Sequence, residues 1–591
     1  MLKREEWDAR DVGDDVEAGL LPPSSASAAG GVEDGRRHVV IIGAGVGGVA
    51  TAARLAKKHG YRVTVLEKNA FSGGRCSLIH TPEGFRFDQG PSLYLMPQSY
   101  KQTFDDLGVD IEDHLKLVKC DPNYRMFFDD GSHITLTSDM AQMQRELEKV
   151  EEGAFLGFLA YMKEAGVHYN DSVTKMLSKN FNAWWEFFHP KHLSMVWRLH
   201  VFNKLYQRTA NFFSSSKLRQ AFSFQTMYMG ISPYDSPATF SLLSYTECTE
   251  GVWYPMGGMH SVVSALESIA TQHGAQFHFG ERGNVKEIVL DSKTNKVWGV
   301  LLQDGSYVKA DAVVCNADAP WAYNNLLPAT PYAKKVDQLE YTASTISFYW
   351  YQPLIIITVT VTIITHIIFC FSHIPHVVTN KGVWILSAHN IFLNGDYKKS
   401  FDDIFQNSGL PQHPSFYIHV PSRIDPSASP DRGKDAVTVL VPISCIKADR
   451  LQDWDKLTDY ARKYVFNVFH TKFGFDIGQH IISERINTPL TWRDKFNLQH
   501  GAALGLSHNV TQIGWMRPSI CHATYDNMFF VGASVHPGTG VPIVLHGAAL
   551  VEDEVQHYLA TGKKRKPSLF SSWVVLLYLL AILLFLFYFV L

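Results

Sequence analysis

The sequence carries almost no net charge. Over 591 residues Lys and Arg total 54 against 57 for Asp and Glu, a formal balance of −3. A nucleic-acid-binding protein shows a clear basic excess, and none is present. Cysteine is scarce: the seven at positions 76, 120, 248, 315, 370, 445 and 521 form no Cys-x-x-Cys pair and no Cys/His cluster. That argues against a disulfide framework and against a zinc site, and no metal is expected. Charged residues are only 19% and hydrophobic ones 46%, a balance that excludes a largely disordered chain. No apolar run follows Met1–Glu6. A secretory leader is therefore not expected, and the body is expected on the reducing side of any membrane. No repeat of solenoid period is evident. Aromatic residues are plentiful at 13%, which suits a protein handling a large apolar ligand and equally a large core.

Composition then marks the ends. Residues 1–37 are acidic and then rich in Pro, Ser, Ala and Gly, and read as a disordered tail. Trp573 to Leu591 is an unbroken apolar run close to the roughly 20 residues a spanning helix needs. Lys563, Lys564, Arg565 and Lys566 precede it. Residues 561–591 therefore read as a basic flank and a single-pass C-terminal membrane anchor, with the catalytic body, 38–560, facing the cytosol. A second apolar run, Leu354–Phe371, has the length to span. A single crossing there would put the two halves of the site described below on opposite sides of a bilayer. A re-entrant or surface segment, a strand pair or a sequence artefact stay open for it.

The chemistry starts at the first strong pattern. Val39-Val40-Ile41-Ile42 reads as a buried parallel strand. Gly43, Gly45 and Gly48 fit G-x-G-x-x-G, a helical pattern follows to Gly60, and Arg62–Leu66 is a second strand ending at Glu67. This is the complete β-α-β dinucleotide fingerprint in order. The glycines permit a tight turn, close approach of a pyrophosphate to the helix N-terminus and close helix–strand packing, and Glu67 is placed to accept hydrogen bonds from a ribose. Ser72-Gly73-Gly74-Arg75 follows, where two glycines let the chain pass close to a cofactor and Arg75 can meet a phosphate or close the site. Near the other end, Met528–Ala533 is a strand ending in glycine. His536-Pro537-Gly538-Thr539-Gly540-Val541 then opens a helix from Ile543 to about Leu559. A glycine-rich turn at a helix N-terminus is a second anion site.

These stretches, with RFDQGPSLYL, MYMGISPYDSPATFSLLSYTE, VVCNAD and KFNLQHGAALGLSH, resemble the carotenoid-desaturase family of flavoproteins, and its fungal phytoene desaturases above all, over about His38 to Leu559. The resemblance implies an α/β fold in which a Rossmann-type FAD domain (about 38–110, 270–320 and 500–560) is interleaved with a mixed α+β substrate domain, as in flavin amine oxidases. It implies FAD, with Gly43, Gly45, Gly48, Glu67, Gly73, Gly74, Arg75, Val285, Gly532, Ala533, Gly540 and Val541 binding it. NAD is compatible but no residue calls for it. It implies phytoene and partly desaturated carotenes as substrates, and a quinone or oxygen as electron acceptor. It suggests a membrane location at the endoplasmic reticulum or lipid bodies. His536 and Arg517 are the catalytic candidates. Phe181–Tyr206, mixing aromatics with basic residues, reads as a lipid-contacting patch or as a core helix pair. The chain departs from the family at Met256, Val535, His546 and Ala549, and at 351–383, an apolar insertion that reads as a translated intron or annotation error. A flavin amine oxidase, a flavin-dependent carotenoid isomerase and a catalytically impaired, membrane-anchored carotenoid-binding homologue are the competing readings.

Overall fold

A computed structural model describes residues 35–565 and Leu580, apart from 182–185, 187–194, 196, 292, 354–355, 358–382, 385, 432 and 448. In chain order, β1 (His38–Ile42), α1 (Val46–His59) and β2 (Arg62–Glu67) form the dinucleotide unit. β3 (Tyr124–Phe127) and β4 (His133–Leu136) open a second sheet, and α2 (Ala154–Ser172) follows. The chain then returns through α3 (His260–Gln272), β5 (Gln276–Phe279) and β6 (Ala312–Cys315). β7 (Ser344–Pro353), β8 (His389–Phe392), β9 (Phe416–His419) and β10 (Lys434–Ile443) extend the second sheet. α4 (Trp454–Phe473), β11 (Ser483–Asn487), β12 (Met528–Phe530) and α5 (Val541–Thr561) complete these elements.

The first sheet is parallel throughout, ordered β12-β6-β1-β2-β5. Its strands are continuous apolar runs because helices cover it: α1 packs on β2 and is itself covered by α3 and α5. The second sheet has seven strands, ordered β11-β7-β10-β9-β8-β3-β4, antiparallel except for β8 beside β3. Its residues alternate between two faces, as strand geometry requires. Phe392, Phe416, Ile418, Val439 and Val441 face a core shared with Val465 and Phe469 of α4. The residues between them face the interior cavity.

Two expectations meet this fold. The C-terminal transmembrane helix is overturned: among the described residues no helix is long and apolar enough to cross a membrane. The longest fail because they carry charge, Glu552, Asp553 and Glu554 in α5 and Asp455, Lys456, Asp459, Arg462, Lys463 and Lys472 in α4. The run from Trp573 lies, Leu580 apart, outside the described residues, as does the tail before residue 35. Most of the insertion, 358–382, also lies outside them. Its flanks Ile356–Ile357 and Val383–Trp384 pair antiparallel, and β7 before it and β8 after it belong to one sheet. The chain therefore comes back to the side it left, which excludes a single crossing.

Candidate functional site

The glycine turn after β1 is built by contacts that leave no room for a side chain. A Cβ on Gly48 would lie 2.2 Å from the Gly43 carbonyl, and one on Gly45 would lie 2.6 Å from the Asn316 amide. Gly43 itself has φ 94°, the left-handed region glycine favours. Glu67 caps β2 and is buried. It accepts hydrogen bonds from Ala44 N at 2.9 Å and from Asn69 N at 2.8 Å. The carboxylate thus braces the turn and still borders the cavity. Gly73 N donates to Ala44 O at 2.7 Å, which lays the Ser72–Arg75 segment across the same turn. Arg75 donates to the Ala503 carbonyl at 2.9 Å and lies near Asp318, so it ties this segment to the C-terminal part of the chain.

The second turn stands at the carboxyl end of the same sheet, packed beside the first: a Cβ on Gly47 would meet Val544 Cγ1 at 2.8 Å and Val531 Cγ2 at 3.1 Å. Gly532, with φ 132°, stands two residues after β12, and Gly540, with φ 102°, caps α5. Neither α1 nor α5 has a side-chain cap or an acidic residue in its first turn. Their leading N–H groups are left for an anionic ligand. His508 stands at the α5 end. Its Nε2 accepts from Thr539 N at 3.1 Å, so Nδ1 carries the proton, and that buried Nδ1 has no partner among the described residues.

One cavity of about 550 Å³ joins these parts. Gly43, Gly45, Glu67, Gly73, Gly74, Arg75 and Val285 line it, and so do Gly532, Ala533, His536, Gly540 and Val541. Gly48 stands behind the wall as the packing glycine. Beyond them the cavity turns apolar, walled by Met176, Leu199, Leu242, Leu243, Ile391 and Leu440. The glycine cradles, the uncapped helix ends and the orphaned His508 N–H fit a long anionic dinucleotide with a ring system.

The two catalytic candidates differ. Arg517 does not line the cavity. Its guanidinium donates to the carbonyls of Val535, Ser507, Gln512, Leu506 and Ala533, between 2.5 and 3.1 Å. All donor directions are spent on the backbone, so the structure corrects that assignment to a clamp of residues 506–535. Burial draws its pKa down to about 9. His536 does border the cavity. Its Nε2 donates to Lys179 O at 2.7 Å, Nδ1 keeps a buried lone pair, and burial holds its pKa down to about 4. It is a neutral imidazole at physiological pH. The four departures from the family pattern, Met256, Val535, His546 and Ala549, all lie off the cavity wall.

Several wall residues escaped the sequence reading. Asn316 and Asp318 sit in the quoted stretch VVCNAD, yet only the fold brings them against Gly45 and Ser534. Ser92, His508 and Tyr417 line the cavity as well, whereas Gln89, Gly90 and Pro91 reach it from the stretch 84–91, which the sequence alone offers as a turn by the ring system. A cluster of Glu164, His168 and His200 has ligand atoms within 4.8 Å of one another. The Arg208 guanidinium occupies it, donating to Glu164 at 2.6 Å and meeting His200 Nε2 at 3.1 Å, while both nitrogens of His168 are bonded to Ser241 and Arg198. A cation is already there.

Comparison with known proteins decides the family. The model for flavin containing amine oxidoreductases matches residues 46–358. The phytoene desaturase of Phycomyces blakesleeanus is 46% identical over 547 residues, covering 91% of this chain and 88% of that protein. The chain belongs to this family. A zeta-carotene-forming phytoene desaturase of Myxococcus xanthus is 39% identical, covering 90% of this chain and 96% of its own length. Among solved structures, putrescine oxidase bound to putrescine superposes with a TM-score of 0.55 at 13% identity, over 89% of this chain and 99% of the other. That likeness speaks for the flavin amine oxidase-like fold alone. Membership of the phytoene desaturase family makes this chain an FAD-dependent oxidoreductase, and FAD is the group the two glycine cradles fit.

Proposed function

We propose that the chain is an FAD-dependent carotenoid desaturase that removes hydrogen pairs stepwise from phytoene, towards lycopene or 3,4-didehydrolycopene. One observation carries this: the dinucleotide cradle and the apolar slot are a single cavity. Phytoene has no polar group, so recognition rests on apolar burial and shape. Residues such as Leu242, Leu243, Ile391 and Leu440 supply that burial and exclude water. Bound FAD would supply the two-electron acceptor. The protein's own part is to hold a saturated CH2–CH2 unit beside it and to support negative charge there with the uncapped α5 N-terminus.

The route in and the route for electrons complete the reading. Met195, Leu199 and Val201 line the slot, while Trp197 and Phe202 beside them are each 71% exposed. Exposed aromatics next to an apolar mouth favour a substrate drawn from a lipid surface. We place the body on the cytosolic side of such a surface, at the endoplasmic reticulum or lipid bodies, with a quinone or oxygen reoxidising the flavin. Expression in a phytoene-making host tests the function. A red shift of the pigment is expected. An unchanged chromophore length would instead mark an isomerase, and no change at all a binding protein.

A further inference from the structure

Dehydrogenation of a CH2–CH2 unit sheds one hydrogen as a proton; of the two motif candidates, Arg517 is spent on backbone carbonyls and His536 stands in the turn beside the cradle. The cavity face of the second sheet supplies another. Register sets Ile391 of β8 opposite Tyr417 of β9, and Tyr417 opposite Leu440 of β10. All three line the slot, so Tyr417 brings a hydroxyl to an apolar wall. That hydroxyl is 2.7 Å from His389 Nδ1 and 2.8 Å from Ser92 Oγ. His389 is fully buried directly behind it, two residues before Ile391 on the same face, with Nε2 3.6 Å from Cys120 Sγ. A phenol is the better donor and an imidazole nitrogen the better acceptor. Tyr417 therefore donates to His389 Nδ1, Ser92 donates to Tyr417, and one Tyr417 lone pair is left for the slot.

We propose that Tyr417 is the catalytic residue that receives the substrate's proton, and that His389 is the positioning residue that takes the phenol's own proton in exchange. The proposal rests on the desaturase reading above. One C–H bond gives its hydrogen and electron pair to the flavin. The neighbouring C–H bond leaves its pair in the new C=C bond and its proton on Tyr417 Oη, as the Tyr417 O–H proton passes to His389 Nδ1. The substrate loses two hydrogens, the flavin gains one with two electrons, and His389 gains the proton. The two cleavages are coupled in one step, and a weak base suffices because departure of the first hydrogen with its electron pair makes the adjacent C–H strongly acidic as it breaks. Burial keeps His389 unprotonated, its pKa lying well below the usual imidazole value, so it is a weak base with its Nδ1 lone pair free for the phenol's proton.

The experiment mixes FAD-loaded, full-length protein with phytoene in vesicles and follows bleaching of the flavin's visible band in a single turnover, in H2O and in D2O. Tyr417→Phe should keep FAD and phytoene affinity, slow bleaching by about 10²- to 10⁴-fold, and lose the D2O slowing that the wild type shows. His389→Gln, which can accept the phenol's hydrogen bond but not its proton, should slow bleaching in the same range and guards against misfolding of the first variant. Bleaching by Tyr417→Phe within twofold of the wild type, or an undiminished D2O effect in it, overturns the proposal. If phytoene fails to bleach the wild type, the desaturase reading falls and takes this proposal with it.

Discussion

In the parallel sheet, every residue that meets the dinucleotide end of the cavity stands at the carboxyl end of a strand or in the turn just after it: Gly43 and Gly45 after β1, Glu67 at the end of β2, Asn316 after β6, Gly532 after β12. In the seven-stranded sheet the slot is walled by strand interiors, Ile391, Tyr417 and Leu440 lying side by side across three strands. The first arrangement works by backbone approach and helix dipoles at strand ends, the second by the faces that side-chain alternation creates. One consequence concerns the insertion. β7 touches the slot at Thr345 and Ser347, and the chain leaves the sheet after Pro353. Six residues of strand are about 20 Å, so the apolar excursion departs far from the chemistry.

The sharpest test of this contrast removes the approach at a strand end. Gly48→Ala would press its Cβ to 2.2 Å from the Gly43 carbonyl, 3.2 Å from Asn316 Cβ and 3.3 Å from Ile41 Cγ2, with backbone and buried core that cannot yield. FAD affinity should fall at least about 100-fold, close to 3 kcal/mol, and the purified protein should be colourless. A stoichiometrically yellow variant would break the account of the cradle. Next comes the slot. Leu440→Trp fills the wall beside Tyr417 without touching the cradle. Carotenoid formation should drop more than about tenfold from overfilling while the flavin spectrum stays unchanged. Loss of FAD in that variant would mean the two regions are not separable.

His536→Ala sets the turn against the sheet as the source of the proton acceptor. It removes one bond to Lys179 O and the buried, unpartnered Nδ1 lone pair of a residue that borders the cavity. Single-turnover bleaching should slow only a few-fold, on the order of one lost hydrogen bond, with the D2O effect retained. A larger loss than in Tyr417→Phe would move the acceptor to the turn.

The legibility of the molecule follows the same division. Gly43, Gly45, Gly48 and Glu67 could be read because one β-α-β unit holds them in a fixed spacing. The turn at 532–541 could be read because it is again strand, glycine and helix in succession. Tyr417 and His389 could not: they meet only because β8 and β9 pair in a particular register, and nothing in either short stretch marks which face looks inward. Arg517 shows the opposite failure. It stands in a motif near the ring, but five carbonyls from an irregular loop claim its guanidinium, and loop conformation has no period to read. The anchor reading rests on an apolar run and its basic flank, and no helix among the described residues has the character to span.

Behind the slot, the helical Glu247 is a buried acid set against Tyr124 of β3, and it is held differently from Glu67. Glu67 receives backbone N–H groups, whereas Glu247 is 1% exposed and receives only the Tyr124 hydroxyl and the Gln225 amide, each at 3.0 Å. Burial outweighs those two bonds and pushes its pKa up to about 8. The unfolded chain has an ordinary carboxyl near 4.3. The folded state therefore binds the proton more tightly, and the stability Glu247 contributes is complete below about pH 4 and drains away as pH rises towards 8. Glu247→Gln keeps one acceptor but turns its amide N–H2 towards a second donor, losing about 1 kcal/mol of hydrogen bonding. At pH 5 the FAD-loaded variant should denature slightly more easily than the wild type. By pH 8 the order should reverse, since the glutamine has no proton to give up. Urea midpoints of both proteins at the two pH values check this, and a difference between them that stays constant would show that the carboxyl behind the slot is not held in its protonated form.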